Sequence, residues 1–337
     1  MLTMRLSELE LPLVHPFKIT RSEESLARTV LFRVNWRGIE GLGESSPTPR
    51  YAESVETIRD WYATNSLRAG SPHRLETLLE GIPPAARCGL DIALHDLVGK
   101  DTGKPLYELL GLDPERTPLT SFTVGIADRE LTLQKVAEIG DHPAMKVKLG
   151  LGSPEEQIET IALIRSKYDG MVRIDANEGW TPESAVKILK ELERYDVEFC
   201  EQPIPAGAPE KLRYIKERVR IPIVTDEDSK DASDLPALYH CVDGINVKLV
   251  KCGGIRAALA MIHTARAMGL KIMLGCMIES AILSTAAAHL SPLVDWADLD
   301  GPFLTARDPF AGVTYQNGKL ILPDGPGLGV RELASVA

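Results

Sequence analysis

Apolar and polar residues alternate with a period of two along the first part of the chain. The segments MRLSELELPL and ARTVLFRVNW both alternate in this way, and an Arg-Gly turn leads into a third segment, IEGLGES. This period is typical of β-strands with one buried face. Apolar residues at helical spacing follow, in AESVETIRDWYATNS, PPAARCGLDIALHDLVGK and PLYELLGL. The order predicts an N-terminal α+β unit over residues 1–117 that ends in a linker containing proline and charged residues.

After residue 118, short apolar segments alternate with amphipathic segments of helical period. The strand candidates are, in chain order, LTSFTVGI, AMKVKLG, MVRIDAN, VEFCEQP, IPIVTDED, GINVKLVK, KIMLGCMIES and WADLDGP. Strand–helix units closed by a last strand predict an α/β fold, a (β/α)7β barrel of the TIM type over residues 118–312. A doubly wound open sheet is the alternative, but no GxGxxG loop follows a first strand. An Asn-Gly turn in VTYQNGKLILPDGPGLGV predicts a hairpin in residues 313–337, which we expect to rejoin the N-terminal unit.

The composition excludes several classes of protein. Of the 337 residues, 44% are apolar and 26% are charged, a balance typical of globular proteins. There is no apolar run of about 18 residues, so we expect no membrane span. The first residues lack the pattern of a signal peptide, and we expect none. The net charge of −10 argues against nucleic acid as a partner. The five cysteines form no zinc or CxxC pattern, which favours a cytoplasmic location. Assembly into a homo-oligomer is left open.

Two lysines, Lys146 and Lys148, lie two residues apart in the second predicted barrel strand. Most lysine pairs of this kind face solvent. In a parallel barrel, however, helices cover the outside and side chains fill the inside. If Met145, Val147 and Leu149 face the helices, both ammonium groups point into the barrel near its C-terminal mouth, where such barrels build active sites. A buried ammonium group needs a partner, so we expect acidic residues nearby.

Three carboxylates follow at the ends of the next three predicted strands. The steps from Lys148 to Asp175, Glu201 and Asp226 are 27, 26 and 25 residues, one strand–helix unit each. A single Asp at a strand end is commonly a helix N-cap. Three in phase, beside a buried lysine pair, instead predict a common site. Oxygen ligands without His or Cys suit a hard cation such as Mg²⁺.

A third lysine, Lys248, ends the sixth predicted strand, 22 residues after Asp226. Lys251 is the alternative, but it lies past the strand and we interpret it as part of a loop. Strands two and six lie opposite each other in an eight-stranded barrel, so Lys148 and Lys248 would flank a substrate. One lysine would remove a proton from a carbon and the other would act on the opposite face. The metal would hold a carboxylate and stabilise the enediolate.

These residues resemble those of the enolase superfamily, muconate-lactonizing-enzyme subgroup, over nearly the full length of the chain. The matches are the KxK motif, the three carboxylates and the lysine of INVK, and GLGESSP and ALHDLVGK also look like family signatures. The resemblance implies a modified barrel with a capping domain that the C-terminal segment completes. It also implies catalytic Lys148 and Lys248, a supporting Lys146 and one Mg²⁺ per subunit. Strand seven lacks the histidine of the mandelate-racemase subgroup and offers Cys276, Met277 and Glu279, the first two of which we expect at the substrate.

Strand eight indicates the subfamily. It carries Asp298 and Asp300, which would share one face of a strand, and in the family's dipeptide epimerases such a DxD pair binds the free N-terminus of the substrate. The segments HPFKITRSEES and SPTPRYAES look like the mobile cap loops of L-Ala-D/L-Glu epimerases. Arg21 would there meet a side-chain carboxylate, although Glu23 and Glu24 would suit a cationic side chain. The resemblance thus implies an isomerase that acts on dipeptides, including those of peptidoglycan, and inverts the α-carbon of the C-terminal residue.

Two alternatives remain open at this point. An N-succinylamino-acid racemase or an o-succinylbenzoate synthase would use the same lysines and metal, but their substrates lack the free ammonium group that a DxD pair suits. A catalytically inactive barrel could also serve as a ligand-binding protein. The retention of two lysines and three carboxylates argues against it.

Overall fold

The computed structural model describes residues 1–20, 22–65, 67 and 70–334, and it begins with the antiparallel strands that the alternation predicts. These are β1 (Thr3–Lys18), β2 (Glu23–Trp36) and β3 (Ile39–Ser45), paired in that order. The helices that follow are α1 (Val55–Thr64), α2 (Leu75–Leu79), α3 (Pro84–Thr102) and α4 (Leu106–Leu109). Helix α3 lies against β3, where a Cβ on Gly43 would come within 2.0 Å of the Gly89 carbonyl oxygen. Glycine is therefore needed for this close packing.

A parallel barrel follows, and all eight predicted strands are confirmed. They are β4 (Phe122–Val124), β5 (Ala144–Lys148), β6 (Met171–Asp175), β7 (Val197–Glu201), β8 (Ile223–Thr225), β9 (Gly244–Val247), β10 (Lys271–Gly275) and β11 (Trp296–Asp298). Neighbours in the chain are neighbours in the sheet, and a parallel bridge between Thr120 and Ala297 joins the first strand to the last. The helices between and after the strands are α5 (Arg129–Ile139), α6 (Pro154–Arg165), α7 (Pro182–Leu192), α8 (Pro209–Lys216), α9 (Leu235–Leu238), α10 (Leu249–Cys252), α11 (Ile255–Ala267) and α12 (Ala281–Ala288).

The strand register brings the predicted charged residues to one end of the barrel. Lys148 pairs with Asp175 across β5 and β6, and Asp175 pairs with Glu201 across β6 and β7. A separate apolar cluster of Phe199, Val224 and Met273 packs together. Phe199 precedes Glu201 by two residues on β7, so both side chains lie on the same face of the strand. The charged layer therefore lies above an apolar layer, at the C-terminal mouth.

The last part of the chain returns to the N-terminal unit, as predicted. It contains α13 (Gly301–Leu304), β12 (Phe310–Ala311), β13 (Thr314–Gln316), β14 (Lys319–Ile321) and β15 (Arg331–Glu332). The predicted Asn-Gly hairpin joins β13 and β14. Glu332 forms an ion pair with Arg33 of β2 at 2.7 Å, and the amide of Leu328 donates to Asp96 of α3. The division at residues 117/118 and 312/313 stays a prediction. Among the described helices, none has the length and apolar character that crossing a membrane requires.

Candidate active site

The two lysines of β5 lie inside the barrel, as the sequence predicts. Lys146 is 2% exposed and Lys148 is 9% exposed. The Nζ atom of Lys146 donates to Glu201 Oε2 at 2.8 Å and to Asp298 Oδ2 at 2.5 Å. The Nζ atom of Lys148 donates to Asp175 Oδ2 at 2.6 Å. The acidic partners that the buried ammonium groups require are thus present in the same layer.

Lys248 and Lys251 both reach the third predicted metal ligand. Strand β9 ends at Val247, and Lys248, the residue before helix α10, donates to Asp226 Oδ2 at 2.8 Å. The interpretation of Lys251 as a loop residue was wrong, because it lies in α10 and is buried. The two lysines are three residues apart, and this spacing, visible in the sequence, places side chains on one face of a helical turn.

The hydrogen bonds distinguish these two lysines. The Nζ atom of Lys251 faces four acceptors, the carboxylate Oδ1 and carbonyl oxygen of Asp226 and the carbonyl oxygens of Ser229 and Asn246, at 2.5–3.1 Å. An ammonium group has three hydrogens, so none remains for a substrate. Among the described residues, Lys248 donates a hydrogen bond to Asp226 alone. Lys248 is therefore the better candidate for proton transfer.

Each of the three carboxylates accepts hydrogen bonds through both of its oxygens, from two different residues. One oxygen accepts from a lysine: Oδ2 of Asp175, Oε2 of Glu201 and Oδ2 of Asp226. The other oxygen accepts from a second group: the Asn177 amide, the Asn246 side-chain amide and the Lys251 ammonium group, at 2.8, 2.6 and 2.5 Å respectively. The Asn246 and Lys251 contacts were not predicted from the sequence.

The pKa values of these groups follow from burial and from their partners. Burial lowers the pKa of Lys248, but Asp226 and Glu201 outweigh burial, and the pKa lies above its ordinary value. The pKa of Lys146 is likewise raised, since Asp298 and Glu201 oppose the effect of burial. Burial raises the pKa of Asp226, but Lys248 and Lys251 reverse the shift, so this pKa lies below the usual range. At Glu201 the effect of burial and of the neighbouring Asp175 prevails, and the pKa is raised. Lys146, Lys248 and Asp226 are thus held in their charged forms.

The donor set fits a hard cation in its chemistry. Within the described residues no three His, Cys, Asp or Glu side chains form a ready-made ligand group. The ammonium group of Lys146 lies between two of the acidic side chains and contacts both Asp175 and Glu201. The three carboxylate oxygens that now accept from lysines are the type of ligand that Mg²⁺ prefers. Asp175, Glu201 and Asp226 are therefore the residues that would hold the ion.

The predicted DxD pair is buried but its two members differ. Strand β11 ends at Asp298, so Asp300 does not share a strand face with it, which corrects the expectation. Both oxygens of Asp298 are bound, one by Lys146 and the other by the Ser121 hydroxyl at 2.6 Å. Asp300 Oδ2 accepts from the Thr123 amide at 2.7 Å. Burial and the nearby Asp298 raise the pKa of Asp300 to about 6.

Cys276, Met277 and Glu279, predicted on the seventh barrel strand, lie in the loop after that strand, β10. The Sγ atom of Cys276 is 3.8 Å from Asp300 Oδ1, and the amide of Met277 donates to Glu279 at 3.1 Å. Burial and Glu44 raise the pKa of Glu279 well above its usual range. Glu44 comes from β3 and accepts from the amide and hydroxyl of Ser280. The N-terminal unit therefore holds this loop in place.

Two loops of the N-terminal unit reach the barrel mouth. Thr20 Oγ1 lies 3.2 Å from the Leu149 carbonyl oxygen and 3.1 Å from that of Ala176. These carbonyls adjoin the ends of β5 and β6. Arg50 donates to both oxygens of Glu178, at 3.0 and 2.8 Å. Arg21, predicted to meet the substrate side chain, lies outside the described residues.

The chain matches two protein-family models and is similar to characterised enzymes. The mandelate racemase / muconate lactonizing enzyme N-terminal domain matches residues 1–111, and the enolase C-terminal domain-like family matches residues 128–333. An L-Ala-D/L-Glu epimerase of Bacteroides thetaiotaomicron is 37% identical over 333 residues, which cover 96% of this chain and 86% of that protein.

Two solved structures are similar over nearly their whole length. A substrate-liganded L-Ala-D/L-Glu epimerase from Bacillus subtilis is 28% identical with a TM-score of 0.93, covering 98% of this chain and 99% of that one. A dipeptide epimerase from Cytophaga hutchinsonii, complexed with Mg and D-Ala-L-Val, is 30% identical with a TM-score of 0.92, covering 99% and 96%. The chain belongs to the mandelate racemase / muconate lactonizing enzyme family of the enolase superfamily.

Proposed function

We propose that this protein is a Mg²⁺-dependent dipeptide epimerase that inverts the α-carbon of the C-terminal residue. The observation that carries the proposal is the placement of Lys148 and Lys248. They extend from β5 and from the end of β9, four strands apart in a barrel of eight. Each ammonium group contacts a different carboxylate, Asp175 or Asp226. An α-carbon between them would have one lysine on each face. The names of similar proteins support the same activity.

Inversion requires one proton to leave and another to arrive. One lysine, in its neutral form, takes the α-proton, and the pair of electrons from the C–H bond moves into the substrate carboxylate. The other lysine, protonated, gives its proton to the opposite face of the same carbon. The roles exchange for the other stereoisomer. General acid–base transfers of this type need both groups within hydrogen-bond reach of the reacting atom.

Asp175, Glu201 and Asp226 would hold the Mg²⁺ ion. When bound, this ion supplies Lewis-acid stabilisation of the negative charge that develops on the substrate carboxylate. Lys146 does not face the α-carbon in this proposal. It joins Glu201 to Asp298 through its ammonium group, so it fixes one ligand relative to the end of β11.

The free N-terminus of the dipeptide would bind at Asp300, with Asp298 beside it. Asp300 is buried, and its carboxylate accepts hydrogen bonds from the Thr123 amide and the Cys276 thiol among the described residues. A buried carboxylate without a cation is costly unless it is protonated, and an arriving ammonium group would supply the cation. Cys276 and Met277 would then line this end of the substrate. The contact of Arg21 with the substrate side chain, the cytoplasmic location and assembly into a homo-oligomer stay predictions.

The test is deuterium exchange in heavy water, followed by mass spectrometry. Free dipeptides, beginning with L-Ala-L-Glu, should each gain one deuterium at the C-terminal α-carbon and become a mixture of epimers. Exchange should stop with excess chelator and return with Mg²⁺. N-succinylamino acids, which lack the ammonium group, should exchange poorly under the same conditions. Faster exchange of N-succinylamino acids than of every dipeptide would contradict the proposal, as would full activity in chelator.

A further inference from the structure

Both oxygens of each proposed metal ligand accept a hydrogen bond from the protein. Each has one oxygen held by a neighbour that takes no part in proton transfer, and one oxygen that accepts from Lys146, Lys148 or Lys248. At Asp175 the holding group is the amide of Asn177, a part of the main chain. At Glu201 and Asp226 it is a side chain, Asn246 and Lys251 respectively. Two of the three contacts can therefore be removed by mutation.

Asn246 is placed for this contact rather than for stability. It is fully buried, and its Nδ2 atom donates to Glu201 Oε1 at 2.6 Å. Within the described residues its Oδ1 atom has no hydrogen-bond partner, a state that destabilises a fold. Gly275, at the end of β10, leaves room for the amide, since a Cβ there would lie 2.6 Å from Oδ1. Among the described residues, the hydrogen bond that this buried amide group forms is thus with Glu201, a proposed metal ligand.

Lys251 holds the second carboxylate and also the strand that carries the first contact. Its ammonium group is buried and donates hydrogen bonds to protein acceptors instead of water. One acceptor is Asp226 Oδ1, and another is the main-chain oxygen of Asn246. One cation therefore fixes the orientation of the Asp226 carboxylate relative to the end of β9.

We propose that Asn246 and Lys251 are specificity-determining residues for the metal: they restrict Glu201 and Asp226 to one ligand oxygen each, and this restriction favours Mg²⁺ over Ca²⁺. Ca²⁺ takes six to eight oxygens and commonly binds both oxygens of a carboxylate, whereas Mg²⁺ requires a compact octahedron. A carboxylate with one oxygen already held offers a single oxygen to an ion. The inference rests on the proposed metal site, and it concerns the choice of ion rather than the reaction.

The test compares the affinities of the two ions without substrate. Mg²⁺ and Ca²⁺ are titrated by calorimetry into the metal-free wild type and into Lys251→Met, Asn246→Leu and Ser229→Ala. The ratio of the two dissociation constants is the readout, because a change of protein charge affects two divalent ions alike. Ser229→Ala is the matched control. It removes a hydroxyl that donates to the main-chain oxygens of Thr225 and Asp226, at 3.0 and 3.4 Å, and it removes no carboxylate contact.

The wild type and the control should prefer Mg²⁺ to the same degree. Loss of a group that orients a metal ligand changes metal affinity by about 10–100-fold. In Lys251→Met and Asn246→Leu we expect this change to differ between the two ions, so that the preference moves toward Ca²⁺ by about tenfold, the lower end of that range. Circular dichroism and melting curves confirm folding, and Asn246→Leu, which removes an unpaired oxygen, carries the test if Lys251→Met does not fold. An unchanged ratio in a folded variant, or a wild type that prefers Ca²⁺, overturns the inference. A wild type that binds neither ion overturns the proposed metal site instead.

Discussion

The two sides of the barrel mouth differ in how their charges are balanced. The lysine side consists of four ammonium groups and four carboxylates, all buried, and these are Lys146, Lys148, Lys248, Lys251, Asp175, Glu201, Asp226 and Asp298. Each of these carboxylates forms an ion pair with a lysine. The acidic side consists of Cys276, Glu279 and Asp300, and among the described residues neither of its carboxyl groups forms an ion pair with a cationic side chain.

The pKa values express the same difference. On the lysine side, Lys148 and Lys146 outweigh the effect of burial and keep the pKa of Asp175 low, whereas burial and the neighbouring Asp175 raise the pKa of Glu201. On the acidic side, burial dominates and raises the pKa of both Asp300 and Glu279. A balanced cluster needs no ligand to be stable and can be oriented in advance for proton transfer. An acidic group without a cation is suited to receive one. In the proposed function the lysine side therefore carries out the chemistry and the acidic side recognises the substrate.

The largest effect should come from the lysine side. Lys148→Ala and Lys248→Ala should each lower kcat for epimerisation by about 10²–10⁴-fold, the usual contribution of a general acid or base. Either variant could still exchange the α-proton of one stereoisomer, because the lysine on the other face remains. Stopped assays with both epimers in heavy water measure this. Lys187→Ala is the control, since Lys187 is an exposed lysine paired with Glu155. Normal epimerisation by Lys248→Ala would assign its role to another residue.

A smaller effect should separate Asp298 from Asp300. Loss of a hydrogen bond to a charged group costs about 1.5–3 kcal/mol, so Asp300→Asn should lower kcat/KM for free dipeptides by about ten- to a hundredfold. It should hardly change the slow turnover of N-acetylated dipeptides, which have no ammonium group. Asp298→Asn should impair both substrates, because Asp298 also holds Lys146. Steady-state kinetics with matched free and acetylated substrates measure the difference. Equal losses in both variants on both substrates would remove the distinction.

The same comparison shows what the sequence could predict. Four members of the lysine side are predictable, because Lys148, Asp175, Glu201 and Asp226 repeat with the period of one strand–helix unit. A repeat of this kind can be recognised even if the predicted ends of the strands are wrong by a residue or two. The eight strands were also found, since short apolar segments between amphipathic ones have few alternative structures. These features are set by local pattern and by the barrel topology.

Contacts that depend on the ends of strands were not predictable. The DxD pair was expected on one strand face, but β11 stops at Asp298. Lys251 was expected in a loop, but a four-residue helix turns its side chain into the protein. The hydrogen bond from Asn246 to Glu201 joins residues 45 apart in the chain. A single side-chain rotamer decides such contacts, and the hydrophobic pattern contains no information about it.

The smallest effect concerns pH, and it tests the acidic side alone. In the proposed function Asp300 binds the substrate's ammonium group and must be ionised to do so. Burial and Asp298 raise its pKa to about 6. As the pH falls through this value, the free enzyme becomes protonated at Asp300 and kcat/KM for free dipeptides should fall, by about tenfold one pH unit below the pKa. A bound ammonium group stabilises the carboxylate, so kcat at saturating dipeptide should change less. Asparagine does not titrate, so the Asp300→Asn variant serves as the reference. Dividing the kcat/KM of the wild type by that of the variant removes the effect of every other titrating group that the two enzymes share. This ratio should decrease between pH 7 and pH 5. A constant ratio would mean that recognition of the ammonium group does not depend on Asp300.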